Sequence, residues 1–193
     1  MIVAPKAIYD FWFGGPKLDE FGQSRKVWFV KDPAFDEEVR RRFIATFESA
    51  ERGELQHWRD DAKHCLSLII LLDQFPRNMF RDTPRAFATD TLALNAARFA
   101  TENHYDHAVV SVERMFFYLP FEHSESLDEQ NRCVAFVEAL IEADPSQAGF
   151  LDYALRHRDV IKRFGRFPHR NRILGRASTE AEIEFLTQPG SSF

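Results

Sequence analysis

At 193 residues, 45% of them hydrophobic and 28% charged, the chain has the composition of one globular domain able to bury roughly 70% of the surface it exposes when unfolded. Intrinsic disorder is excluded, and a formal net charge of -5 excludes wholesale attraction to nucleic acid or to an anionic membrane. The 20 Phe are an excess that implies bulky aromatic packing. Two cysteines, Cys65 and Cys133, lie in apolar stretches without metal-ligand spacing, so both read as buried free thiols, and neither a metal nor another cofactor is expected. Met1 to Lys6 lacks the charged and apolar regions of a secretory leader, and the longest apolar run, Leu66 to Leu72, is broken by Ser67 and too short for a membrane. A cytoplasmic location is the default expectation.

Apolar residues recur at helical spacing in nearly every segment, while strict alternation is scarce, so 1–193 reads as a single all-α domain. A first helix is expected near Ala4 to Trp12, closed by Gly14, Gly15 and Pro16, with a short apolar turn over Ser24 to Val30. Asp32 as N-cap and Pro33 at the first helical position start the next helix, whose Phe35, Val39, Phe43 and Phe47 line one face. Asp36, Glu37 and Glu38 each precede an arginine, Arg40, Arg41 and Arg42, by four residues, the favourable acid-first order. The third helix, about Asp61 to Phe75, is apolar nearly all round and should be the central buried one, ending or kinking before Pro76. Thr83-Pro84 is expected to cap a fourth helix running to about Thr101, and a fifth covers Val110 to Leu119 and stops at Pro120. Ser126 with Glu129 forms a capping box for a sixth helix to about Ala143, Gln147 to Phe164 makes a seventh ending at Gly165, and Thr179 with Glu182 repeats the box for a last short helix over Ala181 to Leu186. Such lengths with short turns suggest antiparallel hairpins stacked as a tetratricopeptide-like right-handed superhelix, although no clean period of about 34 residues is present.

Three segments carry polar residues where the pattern asks for apolar ones. Leu72-Asp73-Gln74-Phe75-Pro76-Arg77-Asn78 puts a carboxylate at the end of the buried helix, where it must be paired or protonated. Arg77 is its local partner if the helix continues through Pro76; a distant Arg is its partner if not. Arg114 interrupts the apolar fifth helix, and Glu122-His123-Ser124-Glu125 follows it at once, a His beside carboxylates suited to proton transfer, or a loop that merely caps the next helix. Arg166-Phe167-Pro168-His169-Arg170-Asn171, extended to Arg176, offers planar guanidinium forks to an anion, or is a solvated basic turn. Phosphate-loop glycine spacing, a zincin His pair, a Gly-x-Ser-x-Gly elbow and a Cys-x-x-Cys pair are all missing.

In order along the chain, Leu-Asp-Gln-Phe-Pro-Arg-Asn-Met-Phe-Arg with Thr83-Pro84-Arg85-Ala86-Phe87-Ala88, Phe-Phe-Tyr-Leu-Pro-Phe-Glu-His-Ser-Glu, Phe-Gly-Arg-Phe-Pro-His-Arg-Asn with Leu174-Gly175-Arg176, and Tyr9-Asp10-Phe11-Trp12-Phe13 resemble the signature blocks of the bacterial domain-of-unknown-function family numbered 924. At Asp82 the family pattern has Gly, a departure that leaves the resemblance intact. The resemblance implies an all-α, tetratricopeptide-like fold and no settled activity, substrate or cofactor. The leading expectation is a binding domain of helical-repeat type, with Asp73, Arg77, Asn78, Arg114, Glu122, His123, Arg166, His169, Arg170 and Asn171 holding an anionic small molecule or an acidic peptide end. The alternatives are a hydrolase or transferase using Glu122, His123, Glu125 or His169 as acid and base, and a structural protein whose segments are ion-paired turns, for which a homodimer is compatible with an exposed apolar face.

Overall fold

The computed structural model describes residues 1–15 and 22–191; Pro16, expected to help close the first helix, lies outside them. Among the described residues there are eight α-helices and no strand. The chain divides into two compact units, residues 1–81 with 85–120 and residues 82–84 with 121–193.

The first unit is built on helices α1 (Pro5–Phe13), α2 (Pro33–Glu51), α3 (Ala62–Met79), α4 (Asp90–Glu102) and most of α5 (Ser111–Glu122). Asp32 caps α2 as expected, its carboxylate accepting from the amides of Ala34 and Phe35 at 2.9 and 3.3 Å. Val39, Phe43 and Phe47 are buried, but Asp36 belongs to a tertiary pair with Arg81 (2.9 Å) rather than to the expected helix-surface pair with Arg40. Helix α3 is central: from Cys65 to Leu72 no residue is more than 1% exposed, and α1, α2 and α4 all pack on it. The Phe excess is used here, where Phe11, Trp12, Phe43 and Phe75 stack around α3 and Phe116 meets Trp28 at 4.9 Å.

Two expected helix ends are overridden. Helix α3 runs through Pro76 to Met79. A proline there supplies no N–H to the carbonyl four residues back, that of Leu72, and clashes with it. The buried Thr89 hydroxyl donates to that carbonyl at 2.6 Å, which satisfies the acceptor the proline orphans. Helix α5 likewise passes through Pro120 to Glu122. The expected fourth helix is two pieces, a 3-10 turn at Pro84–Phe87 and then α4 from Asp90.

The second unit holds α6 (Leu127–Ala143), α7 (Gly149–Phe164) and α8 (Glu180–Leu186), with α6 packed on α7. Gln130 of α6 closes the C-terminus of α5, its side-chain amide donating to the carbonyls of Glu122 and Ser124 at 2.5 and 2.7 Å. The capping box expected at Ser126 is not formed: Ser126 makes no side-chain cap bond, and Glu129 instead lies 3.5 Å from Arg132. A 3-10 turn at Pro145–Gln147 precedes α7, which ends at Gly165 in the left-handed conformation (φ 68). The box at Thr179 and Glu182 is present in full. No described helix is long and apolar enough to cross a membrane.

Candidate functional site

Each unit answers most of its own polar residues. In the first, Asp73 is 1% exposed, and because α3 continues through Pro76 the local partner applies: Arg77 Nη1 lies 3.5 Å from its carboxylate and donates to its carbonyl at 2.8 Å. Arg77 also grips Asp90, the first residue of α4, with two bonds of 2.7 and 3.0 Å. Burial works against the Arg77 charge, but Asp73 and Asp90 more than offset it and raise its pKa. Asn78 donates to Asp36 at 2.7 Å, the same carboxylate that Arg81 holds. Arg114 lies 3.6 Å from the buried Asp106 and 3.3 Å from the Tyr118 hydroxyl, which itself donates to Asp106 at 2.6 Å. Burial, with Asp106 as acceptor, pushes the Tyr118 pKa up, so the phenol keeps its proton. These residues fasten helices to one another; Asn78 and Arg77 in particular have carboxylate partners within the fold.

In the second unit, Arg166 forks onto Glu182 with bonds of 2.6 and 2.8 Å, which with the capping amide of Thr179 holds that carboxylate well below its usual range. Glu125 receives Arg176 through two guanidinium nitrogens at 2.7 and 2.9 Å and the amide of Phe167 at 2.8 Å. Burial opposes its charge, yet the Arg176 bonds, the Phe167 amide and the charge of Arg170 together outweigh it and its pKa falls. Asn171 accepts from Arg176 at 2.9 Å and donates to Ser178 at 3.1 Å. The expected anion receptor over Arg166 to Arg176 is thus in large part a clasp tying the turn after α7 to the start of α6 and to α8.

A further polar cluster gathers around one residue that the sequence reading passed over, His157 on α7. It is 4% exposed, its Nδ1 lies 2.8 Å from the Tyr153 carbonyl, and Glu122, 5% exposed, approaches to 3.5 Å. That carbonyl can only accept, so Nδ1 carries the proton. Cys133 Sγ reaches the other Glu122 oxygen at 4.0 Å. Phe167 stands edge-on to the His157 ring at 5.6 Å and also meets the His169 ring at 5.6 Å, while the Arg170 guanidinium stacks on it at 4.4 Å. Burial, with the charges of His123, Arg170 and His169 acting in the same direction, lowers the His157 pKa to about 3, and burial beside Glu122 pushes the Cys133 thiol up. The signal for His157 was present in the sequence: with Ala154, Val160 and Ile161 it lies on the buried stripe of an amphipathic helix. No group of three or more His, Cys, Asp or Glu among the described residues is arranged to hold a metal ion.

An all-α scaffold with this polar cluster defines a class of helical proteins rather than a reaction. The chain belongs to the family described as bacterial protein of unknown function (DUF924), whose model matches residues 8–190. It is similar to the solved structure of a protein of unknown function from Agrobacterium tumefaciens, with 42% identity and a TM-score of 0.82 over 94% of this chain and 96% of that one. No curated protein matches the chain.

Proposed function

We propose that the protein is a binding domain of helical-repeat type whose ligand is a small carboxylate, received at the cluster of Glu122, His123, His157, His169 and Arg170. One observation carries the reading: Arg170 and His169 both gather on Phe167, whose ring stands edge-on to the buried His157, so groups that carry or can take up positive charge surround one imidazole. A carboxylate placed beside these groups is attracted by their positive charge. Arg170, stacked on Phe167, supplies a planar fork suited to a carboxylate.

Two features favour binding over catalysis. A buried thiol with a raised pKa is a poor nucleophile, and an imidazole whose pKa is about 3 is a poor base near pH 7. Glu125, a candidate acid or base, is committed to Arg176. The test is to record histidine side-chain NMR spectra of the intact protein with acetate and succinate. Saturable shifts of the His123, His157 and His169 signals are expected, with at least tenfold weaker binding in Arg170→Gln and His123→Gln. Unmoved signals, equal affinity in both variants, or chemical conversion of the bound carboxylate would each overturn the reading.

A further inference from the structure

A second depression lies in the same unit, and His157 is not among the residues that line it. Between the end of α7 and α8 an open depression of about 540 Å³ is lined by Arg163, Phe164, Arg166, Thr179, Ala181 and Glu182. Its polar inventory is one-sided. Both oxygens of Glu182 are occupied, one by Arg166 Nε and the other by Arg166 Nη2 and the Thr179 amide, so the carboxylate has its principal partners inside the fold. The Thr179 hydroxyl oxygen accepts from the Glu182 amide at 3.2 Å, which leaves its proton to donate. Arg166 uses Nε and Nη2, so Nη1 stays uncommitted. Arg163 is exposed and makes no hydrogen bond or ion pair among the described residues; its guanidinium only stacks, at 4.6 Å from the Phe164 ring centre and 5.8 Å from that of Phe185.

The lining therefore offers donors with positive charge and little acceptor capacity. Beside it a smaller hollow of about 250 Å³ shares Arg163 and Phe164 and adds Val160, Phe185, Pro189 and Gly190, with Arg156 and Asp159 as its other charged residues. The cationic donors of the larger depression lie next to the Phe164 and Phe185 rings, on which the Arg163 guanidinium already stacks, and this pairing matches one kind of guest. We infer that this depression binds a small organic anion in which a carboxylate or phosphate is carried by a flat apolar body. The oxyanion sits between Arg163, Arg166 Nη1 and the Thr179 hydroxyl, and the ring lies over Phe164 and Phe185. The inference stands apart from the carboxylate reading of the His157 cluster, because it shares no residue with it.

The experiment follows backbone amide signals of the intact protein by NMR while benzoate, phenyl phosphate, acetate and benzamide are added in turn. Benzoate or phenyl phosphate is expected to shift Arg163, Phe164 and the residues of α8 saturably, at least tenfold more tightly than acetate or benzamide. Arg163→Gln, an exposed change expected to leave the spectrum of the fold unaltered, should weaken that binding at least tenfold, while Lys162→Gln, an exposed neighbour outside the lining, leaves it unchanged. Acetate shifting Arg163, Phe164 and α8 as tightly as benzoate would remove the apolar body, benzamide doing so would remove the charge, and an unaffected Arg163→Gln or the absence of saturable shifts at these residues would overturn the site.

Discussion

Thr89→Val tests whether a side chain holds α3 helical across its proline. The hydroxyl of Thr89, 1% exposed, donates at 2.6 Å to the carbonyl of Leu72, 0% exposed, which lies four residues before Pro76. Valine keeps the shape and removes the donor, leaving a buried acceptor unsatisfied at a cost of about 1–3 kcal/mol. Pro76→Ala restores a backbone N–H aimed at the same carbonyl, so the second donor should become largely redundant. In a double-mutant cycle Thr89→Val should cost about 1–3 kcal/mol in the natural background and at least about 1 kcal/mol less beside Pro76→Ala. Urea unfolding followed by circular dichroism reads all four proteins, and Thr89→Ser, which keeps the hydroxyl, should stay close to the starting protein. Equal costs of Thr89→Val in both backgrounds would refute the reasoning, because the hydroxyl would then be doing something unrelated to the proline.

Leu68→Ala and Leu71→Ala, both at fully buried positions of α3, should each cost about 2–5 kcal/mol, and unchanged urea midpoints would show that α3 is not the core. Arg77→Met leaves the buried Asp73 and the half-buried Asp90 without this cation and should cost about 3–5 kcal/mol; a loss below about 1 kcal/mol would mean that the pair is dispensable. Asp82 adopts the left-handed conformation (φ 60), so Asp82→Gly should stabilise by about 0.5–1 kcal/mol, and a lower midpoint would show that the carboxylate matters more than the backbone.

The fold was legible where one local signal acts alone. Asp32-Pro33, the all-apolar face of Cys65 to Leu72, Gly165 and the Thr179 box each mark their element without help from distant residues. The reading failed where a distant donor repairs a local defect. Nothing near Pro76 announces that Thr89 will satisfy Leu72, and nothing near Pro120 announces that Gln130 will close the end of α5. Asp82 is instructive in the other direction: the family's glycine at that place fits a positive φ, which the sequence alone could not assign. The candidate residues were found by type, but type does not distinguish a clasp from a site. Arg166 and Glu125 look as available in the sequence as any other candidate, and only the structure gives them the partners Glu182 and Arg176. His157 escaped because a histidine on a buried stripe is usually packing.

That same histidine gives the fold a calculable weakness in acid. In the unfolded chain its imidazole takes a proton near the ordinary value of 6.5, whereas in the folded protein burial delays this to about 3. Below pH 6.5 the unfolded state therefore binds one proton that the native state does not, and native stability falls as pH falls. The contribution is fully present above about pH 6.5 and is lost at about 1.4 kcal/mol per pH unit on the way down to about 3. Between pH 7 and pH 5 His157 alone should remove about 2 kcal/mol. His157→Asn keeps an N–H donor for the Tyr153 carbonyl and cannot be protonated in this range, so it should be less stable at pH 7 but show a slope shallower by about that amount. Carboxylates with lowered pKa, such as Glu125 and Glu182, contribute acid loss in both proteins and cancel in the comparison. Urea unfolding at pH 5, 6 and 7 measures the two slopes. Parallel slopes would mean that the ring is already charged in the native state with Glu122, 3.5 Å away, as its counterion, and the case for a carboxylate ligand at this cluster would fall with it.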